Sequence, residues 1–296
     1  MGNLLRAGMD MVDSPVAFDT LVQGFRAVGL EPGMGLMVHS SLRSFGYVEG
    51  GAATVVDALM EVLTPSGTLL MPSFNHGAPF TADGPGVFDP RKTPTTNGAI
   101  PDNFWRRPGV ARSLNPTHPF AAWGRHSVRY IVEHHRTLTM GPASPLGLLH
   151  QDDGYVLLLG VDYASNTFHH MVEMTSGVPC LGQRAEAYPI VLPDDRRVWG
   201  RTWAWRERSC PFTDSNRYAD RMQDKHRVAT IGQCRAVLYR MQDCFAVVSQ
   251  ILNDGKDGFP PCSGCSIRPR RVSQTVTSDW NPMTGCLLPD SDALTY

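Results

Sequence analysis

The apolar residues of the chain change between strand and helix spacing, and this change is clearest over residues 36–71. Leu36 to Val38 is a short apolar run of the kind that forms a buried strand. Ala52 to Leu63 has apolar side chains at helical spacing, and Thr68 to Met71 is a second buried run. The order strand, glycine-containing loop, helix, strand predicts a βαβ unit, and therefore a parallel or mixed sheet.

Similar patterns predict elements along the rest of the chain. Ser14 and Pro15 are a typical helix start, because serine caps a helix and proline suits its first position. We predict helices over residues 16–28, 100–107, 166–176, 214–231 and 243–252. We predict strands over 155–161 and 235–240, and a β-hairpin insertion over 186–205. Residues 75–100 show no apolar period and are expected to form a long functional or mobile loop.

These elements together predict an α/β fold with a mixed, mostly parallel central sheet flanked by helices. We expect residues 1–260 to form a single domain. From Asn253 onward the chain is rich in Pro, Gly and Ser, so residues 261–296 are expected to form an irregular tail packed on that domain.

Composition and charge narrow the class of protein. The 296 residues are 42% apolar and 19% charged, which is a globular composition. Lys plus Arg number 27 against 28 Asp plus Glu, so charge gives no reason to expect nucleic-acid binding. No apolar stretch is long enough for a membrane span, and the N-terminus lacks the pattern of a signal peptide. With seven scattered cysteines, we expect a cytoplasmic protein with reduced thiols.

The loop after the first predicted strand is a candidate anion site. Gly46, Gly50 and Gly51 precede a helix and lie beside Ser40 and Ser41. Backbone N–H groups and the helix dipole at such a place suit a phosphate or pyrophosphate. The glycine spacing matches neither a Walker A loop nor a dinucleotide fingerprint. An ordinary strand–helix connection explains the same residues.

A candidate general base lies just after the strand predicted over 155–161. His170 and Glu173 are three residues apart on a predicted helix and so share a face. A carboxylate on one ring nitrogen fixes the tautomer of a histidine, and the helix N-terminus favours its neutral form. His169 and Glu173 are four apart and compete for this pairing. The alternative is a histidine that simply packs at a helix end.

Two further segments have residues suited to chemistry. Arg112 can pair with a phosphate, and His118 lies between two prolines that would hold it rigidly. Cys262 and Cys265 form one Cys-x-x-Cys pair, which is half of a zinc site, and tail packing is the better explanation for them. No Gly-x-Ser-x-Gly motif of a serine hydrolase occurs in the sequence.

Three long blocks of the sequence resemble the aminoglycoside 3-N-acetyltransferase family, which has its own α/β antibiotic N-acetyltransferase fold. They are LMVHSSLRSFGYVEGGAATVVDALMEVLTPSGTLLMPSF (36–74), FDPRKTPTTNGAIPDNFWRRPGVARSLNPTHPFAAWG (88–124) and SPLGLLHQDDGYVLLLGVDYASNTFHHMVEMTSGVP (144–179). Their order and spacing agree with the family. Asn115 and Pro119 replace a His and a Ser that the family often has, and residues 200–230 match poorly.

The resemblance implies roles for individual residues. The family pattern Asn-Thr-x-x-His-x-x-Glu falls on Asn166, Thr167, His170 and Glu173, which favours His170 over His169 as the base. Together with the patterns above, it predicts a catalytic group of His170, Glu173 and Ser73. The residues expected to bind coenzyme A are His39, Ser40, Ser41, Leu42, Gly46, Arg112 and Ser113. Those expected to bind the acceptor are Asn166, His118 and Asp83.

The implied reaction is direct transfer of the acetyl group of acetyl-CoA to the 3-amino group of an aminoglycoside, which confers antibiotic resistance. Acetyl-CoA is a co-substrate, and no metal is expected. Because aminoglycosides are polycations, an acidic pocket is expected, and the candidate residues are Asp83, Asp89, Asp102, Asp152, Asp153 and Glu207. The alternatives are another amine acceptor in a biosynthetic pathway, a zinc or serine hydrolase, and a non-catalytic CoA- or phosphate-binding module. A homodimer is a possible assembly.

Overall fold

The computed structural model describes residues 15–175, 184–205 and 218–253, and the short pairs 280–281 and 286–287. The predicted Cys262–Cys265 pair, Cys180, Glu207 and most of the C-terminal tail lie outside the described residues. No helix within the described part of the chain has the length and apolar character that crossing a bilayer requires.

The predicted βαβ unit is confirmed. Helix α1 (Phe18–Val28) precedes strand β1 (Gly35–Ser40), helix α2 (Ala52–Leu63) and strand β2 (Thr68–Pro72), and β1 and β2 are parallel. Helix α1 begins two residues later than predicted. The reason is that Val16 is held in a parallel bridge with Val48, and extended backbone there delays the helix.

The remaining elements follow in chain order. They are α3 (Ala99–Trp105), β3 (Ala111–Arg112), β4 (Phe120–Gly124), α4 (Ser127–Ile131), α5 (Pro145–Gln151), β5 (Tyr155–Leu159), α6 (Phe168–Thr175), β6 (Arg184–Val191), β7 (Arg197–Trp205), β8 (His226–Ile231), β9 (Cys234–Arg240), α7 (Met241–Asn253), β10 (Trp280–Asn281) and β11 (Cys286–Leu287). The short strands β3 and β4 and the helices α4 and α5 have no clear apolar period, so the sequence does not predict them.

The central sheet has seven strands in the order β3-β4-β2-β1-β5-β9-β8. Strand β1 pairs in parallel with β2 and β5, and the outer pairings are antiparallel. Five of the seven strands therefore run in one direction, and the predicted mixed sheet flanked by helices is confirmed. The predicted hairpin is also confirmed: β6 and β7 form a separate two-stranded sheet, joined to the domain by a bridge between Phe88 and Ile190.

The charged helix predicted over 214–231 is wrong for the part that the structure describes. A short 3-10 helix (Ala219–Met222) is followed by strand β8, which pairs with β9 across Gly232 and Gln233. Gly232 has φ +60, and a Cβ there would meet Val16 and the Phe45 carbonyl oxygen. The turn and the pairing with β9 override the helical spacing of the charges in this segment.

Both faces of the central sheet are buried. Leu36 and Val38 of β1 belong to the core that α1 and α2 cover, whereas Met37 belongs to the core on the opposite face, with α5, α6 and α7. A strand that is buried on both faces has a continuous apolar sequence, which is why the strand prediction succeeded here. The carboxyl ends of β1, β2 and β5 meet at one edge, where α/β sheets bind ligands.

Candidate active site

His170 and Glu173 form a pair at the start of α6, just beyond the carboxyl end of β5. Nδ1 of His170 lies 2.6 Å from Oε2 of Glu173. The Glu173 side chain is fully buried, and that of His170 is 27% exposed. A carboxylate accepts a hydrogen bond, so Nδ1 carries the proton and Nε2 of His170 has the lone pair. The arrangement is that of an oriented, reachable base.

The His169 ring is engaged by Tyr218. It is 1% exposed, and its Nδ1 lies 3.0 Å from the Tyr218 hydroxyl. Glu173 therefore pairs with His170 while Tyr218 engages His169 Nδ1, which decides the competition that the spacing left open.

The same three side chains can be considered as metal ligands. His169, His170 and Glu173 offer ligand atoms that all lie within 4.8 Å of one another, and two imidazoles with one carboxylate form a zinc-type donor set. In this structure Glu173 Oε2 is hydrogen-bonded to His170 Nδ1, and His169 Nδ1 to Tyr218. A metal ion would have to break the short hydrogen bond between His170 and Glu173 to bind both residues through these atoms.

His39, predicted to contact coenzyme A, lies under α6. It is 5% exposed, and its Nε2 accepts hydrogen bonds from the Thr167 backbone N–H and hydroxyl, each at 3.3 Å. Burial, and then the neighbouring His169, lowers the pKa of His39 to about 3. A neutral imidazole thus joins the end of β1 to the residue before α6, which is a structural use of this side chain.

Ser40 and Ser73 have buried hydroxyl groups at the carboxyl ends of neighbouring parallel strands. Neither Oγ atom has a hydrogen-bond partner among the described residues. Met37 pairs with Leu70 in the register of β1 and β2. Three residues further along both strands, the same register places Ser40 beside Ser73. Buried hydroxyl groups rarely lack a partner, so these two at the carboxyl edge of the sheet are candidates for contact with a bound ligand.

Several backbone N–H groups of the glycine loop are already hydrogen-bonded within the chain, and the anion site there stays a prediction. The N–H groups of Ser41, Ser44, Gly46 and Gly51 already donate to carbonyl oxygens of Leu159, Ser41, Arg43 and Val48. Residues 42–45 form a 3-10 helix, and Gly46 turns the chain with φ +78. Ser41 and Leu42 are half-buried beside this turn.

Two predicted coenzyme A contacts are buried in structural roles. Arg112 is 8% exposed; it donates to the carbonyl oxygens of Ser73, at 2.7 Å, and Thr93, and its guanidinium lies 4.5 Å from the Trp105 ring. The Ser113 hydroxyl bonds His134 Nδ1 and accepts from the Phe120 N–H, each at 2.8 Å. The Ser113 hydroxyl and the Nη atoms of Arg112 are engaged inside the protein, whereas Arg112 Nε is buried without a hydrogen-bond partner among the described residues. Contact of either residue with coenzyme A stays a prediction.

Asn166, predicted to bind the acceptor, is fully buried and caps α6. Its Oδ1 accepts from the Phe168 N–H at 3.1 Å, and its Nδ2 donates to the Tyr218 hydroxyl at 3.2 Å and to Cys244 Sγ at 3.6 Å. Both ends of the amide are engaged within the protein, and Asn166 helps to cap α6. Its contact with the acceptor stays a prediction.

His118 belongs to a buried group of aromatic and imidazole rings. Its ring lies 4.9 Å from that of Phe74 and 5.3 Å from that of His76, and its Nδ1 lies 2.8 Å from the Thr117 hydroxyl. Burial, together with the neighbouring His76, His170 and His134, holds the pKa of His118 well below its usual range. His118 therefore stays neutral beside His170.

The candidate acidic residues do not form one pocket within the described part of the chain. Asp83 is exposed. Glu207 lies outside the described residues. The other four form ion pairs with arginines of this chain: Asp89 with Arg91, Asp102 with Arg106, Asp152 with Arg129, and Asp153 with Arg240. An ion-paired carboxylate is less available to a cationic ligand, so the predicted acidic pocket does not arise from these residues.

Sequence reasoning missed Tyr218, whose hydroxyl contacts both Asn166 and His169. It lies in the part of the sequence that matched the family poorly, and no local motif indicates it. A buried aromatic with a polar tip needs a partner, but a sequence does not identify that partner.

Comparisons with known proteins identify the family of the chain. The family model described as aminoglycoside 3-N-acetyltransferase matches residues 37–253. A Bacillus subtilis protein, the SPbeta prophage-derived aminoglycoside N(3')-acetyltransferase-like protein YokD, is 31% identical over 263 residues, covering 82% of this chain and 95% of its own. Aminoglycoside N(3)-acetyltransferase IV of Salmonella sp. is 41% identical over 154 residues, covering 51% of this chain and 56% of its own.

Solved structures give the same result. A mutant of aminoglycoside acetyltransferase AAC(3)-IVa, in complex with a gentamicin, superposes with a TM-score of 0.70 at 31% identity, covering 87% of this chain and 97% of its own. The predicted resemblance, fold and enzyme class are thus confirmed. The chain belongs to the aminoglycoside 3-N-acetyltransferase family of acyltransferases.

Proposed function

We propose that the protein transfers the acetyl group of acetyl-CoA to the 3-amino group of an aminoglycoside, with His170 as general base. The observation that carries the proposal is the 2.6 Å contact between His170 Nδ1 and the buried carboxylate of Glu173, in a chain of this family. The names of the relatives, and the gentamicin complex of one of them, support the aminoglycoside as acceptor.

The proton moves in step with bond formation. The neutral acceptor amine attacks the thioester carbonyl carbon, and its N–H proton passes to Nε2 of His170 as the C–N bond forms. The C–S bond then breaks, and the thiolate leaves with the proton that His170 returns. Glu173 stabilises the imidazolium form of His170 during the interval between these two proton transfers. General-base assistance of this kind contributes about 10² to 10⁴ in rate.

Ser73 is the proposed donor to the tetrahedral oxyanion. Its hydroxyl is buried and has no partner among the described residues, and it lies at the carboxyl end of β2. Losing one oxyanion donor costs about 10² to 10³ in rate in a well-studied protease. The unpartnered hydroxyl of Ser40 is on the adjacent strand and is proposed to contact the pantetheine arm or the thioester.

The remaining proposed substrate contacts are fewer than the sequence predicts. Ser41, Leu42 and Gly46 stay candidates for coenzyme A, because they border the same edge of the sheet. His118 stays a candidate beside the acceptor, since its ring is near His170. Asp83 stays a candidate for the cationic acceptor because it is exposed and has no ion pair among the described residues.

The proposal is tested by acceptor-dependent release of coenzyme A. The purified protein is given acetyl-CoA with gentamicin and other aminoglycosides, alongside a control without acceptor, and the product is analysed by NMR for the acetylated position. We expect release only with an aminoglycoside and acetylation at the 3-amino group. Acceptor-independent release would indicate a hydrolase. If the protein binds acetyl-CoA tightly but acetylates no aminoglycoside, its acceptor is another amine.

A further inference from the structure

Tyr218 contacts the active-site helix from a distant part of the sequence. It is fully buried and lies just before the 3-10 helix of residues 219–222. Its ring packs edge-on to Tyr163 at 5.4 Å and to His169 at 5.9 Å. The hydroxyl thereby reaches the connection between β5 and α6 and the first turn of α6 itself.

The Tyr218 hydroxyl has three close polar contacts, and each one needs a hydrogen. The hydroxyl donates its own hydrogen to the Tyr163 carbonyl oxygen at 3.0 Å, because a carbonyl has none to give. Asn166 Nδ2 supplies the hydrogen of the second contact at 3.2 Å. The third contact, at 3.0 Å to His169 Nδ1, must therefore use a hydrogen on that nitrogen. This count assigns His169 the tautomer protonated at Nδ1.

The same hydroxyl also fixes the residue that caps α6. Asn166 gives one amide hydrogen to Tyr218, and its Oδ1 accepts from the Phe168 N–H at the first position of the helix. His169 and His170 follow directly in this first turn, and their rings are in edge contact at 4.2 Å. Rotation of either Asn166 or His169 would therefore be transmitted to His170.

We propose that Tyr218 is a positioning residue, whose hydroxyl locks the capping Asn166 and the Nδ1-protonated His169 and so holds the first turn of α6 at the angle that presents His170. This inference rests on the proposed role of His170 as base. A displacement of the base by about 1 Å costs up to about 10² in rate. The tautomer of His169 does not depend on which substrate the enzyme takes.

The test compares Tyr218→Phe with Tyr163→Phe. Each change removes one buried tyrosine hydroxyl, and the Tyr163 hydroxyl bonds a different histidine, His226, at 2.8 Å. Histidine is labelled with ¹⁵N, and the two-bond spectra give the tautomer of each ring. The signal of the proton shared by His170 and Glu173 is recorded in the same samples.

We expect wild type and Tyr163→Phe to contain His169 protonated at Nδ1. In Tyr218→Phe, His169 becomes a mixture of tautomers and the shared His170–Glu173 proton signal shifts or broadens. We expect kcat to fall on the order of tenfold in this variant while KM for acetyl-CoA stays within about twofold, because the base is misplaced and not the co-substrate.

Several results would overturn the inference. A wild-type His169 ring that is protonated only at Nε2 contradicts the tautomer derived from the contacts of the Tyr218 hydroxyl. This measurement uses the wild-type protein, so it does not depend on the folding of a variant. A Tyr218→Phe protein with an unchanged His170–Glu173 signal, or with wild-type kcat, contradicts the positioning role. If the wild-type protein acetylates no aminoglycoside, the proposed acceptor fails, and the NMR comparison still decides the inference about Tyr218.

Discussion

Nδ1 of His170 lies 2.6 Å from a carboxylate oxygen of Glu173 that no solvent reaches. The carboxylate therefore has two effects on the ring: it fixes the proton on Nδ1, and it stabilises the positive charge that the ring gains when Nε2 takes a proton. An amide at the same place can accept the same hydrogen bond but lacks the charge. Substitution of the carboxylate separates the two effects.

Glu173→Gln should lower kcat on the order of tenfold to a hundredfold, because charge-assisted stabilisation of the imidazolium is lost while the orientation of the ring is retained. The KM for acetyl-CoA should change little. Steady-state kinetics with both substrates varied measures this. A variant with wild-type kcat would mean that Glu173 is needed only for packing.

Ser73→Ala should lower kcat by about 10² and leave the thermal midpoint of unfolding close to wild type, because the hydroxyl has no partner among the described residues. Ser113→Ala is the matched control. It removes hydrogen bonds to His134 and to the Phe120 N–H, so the free energy of unfolding should fall by about 1 to 3 kcal/mol. If Ser73→Ala lowered the stability and Ser113→Ala lowered kcat, the oxyanion role would belong to Ser113 and the structural role to Ser73.

Arg112→Ala should destabilise the fold by about 3 kcal/mol, since it leaves the carbonyl oxygens of Ser73 and Thr93 without their donor. Arg106→Ala is the control, because its guanidinium also lies against the Trp105 ring, is half-exposed and pairs with a partly exposed Asp102. Arg106→Ala should cost under about 1 kcal/mol. Urea denaturation measures both. If Arg112→Ala is as stable as wild type but binds coenzyme A more weakly, Arg112 contacts a phosphate of coenzyme A, as the sequence predicts, and is not needed for the fold.

The buried histidines predict how stability depends on pH. Burial lowers the pKa of His39 to about 3 and that of His134 to about 4, and the pKa of His118 is also lowered. Well above pH 6.5 these rings are neutral in both the folded and the unfolded chain, so they add no pH dependence there. Below pH 6.5 the unfolded chain binds protons that the folded chain does not, and stability falls as the pH falls.

Each such histidine contributes a loss of up to about 1.4 kcal/mol per pH unit between its unfolded and folded pKa values. The urea midpoint should therefore decrease steeply between about pH 6.5 and about pH 5. Replacement of His134 by an uncharged glutamine should make this decrease shallower. A urea midpoint that stays constant over this range would contradict the neutral, buried state of these rings.

The parts of the fold that could be predicted are those whose burial is continuous along the sequence. Leu36 to Val38 and Leu69 to Met71 are apolar on both faces, and α2 has a regular apolar stripe, so local pattern sufficed. Residues 226–231 have mixed polarity because β8 is an edge strand of the sheet and is partly exposed. The many charged residues of the wider segment 214–231 led to the wrong prediction of a helix.

The candidate site could be predicted where sequence spacing determines distance. His170 and Glu173 are within one turn of α6, so a local rule allows their contact, but it allows the contact of His169 with Glu173 as well, and the family resemblance is needed to choose between them. Arg112, Ser113 and Asn166 are polar residues of the kind that bind ligands, yet the tertiary structure gives their donors and acceptors to Ser73, His134 and Tyr218. A sequence shows that such a residue needs a partner and does not show which partner it finds.

The measurement that tests the central claim most directly is single-turnover acetyl transfer by His170→Gln, with acetyl-CoA affinity measured on the same protein by calorimetry. The account predicts that the transfer rate falls by about 10² to 10⁴ while the affinity for acetyl-CoA is unchanged. If the His170→Gln variant transfers the acetyl group at the wild-type rate, the assignment of His170 as the base is contradicted.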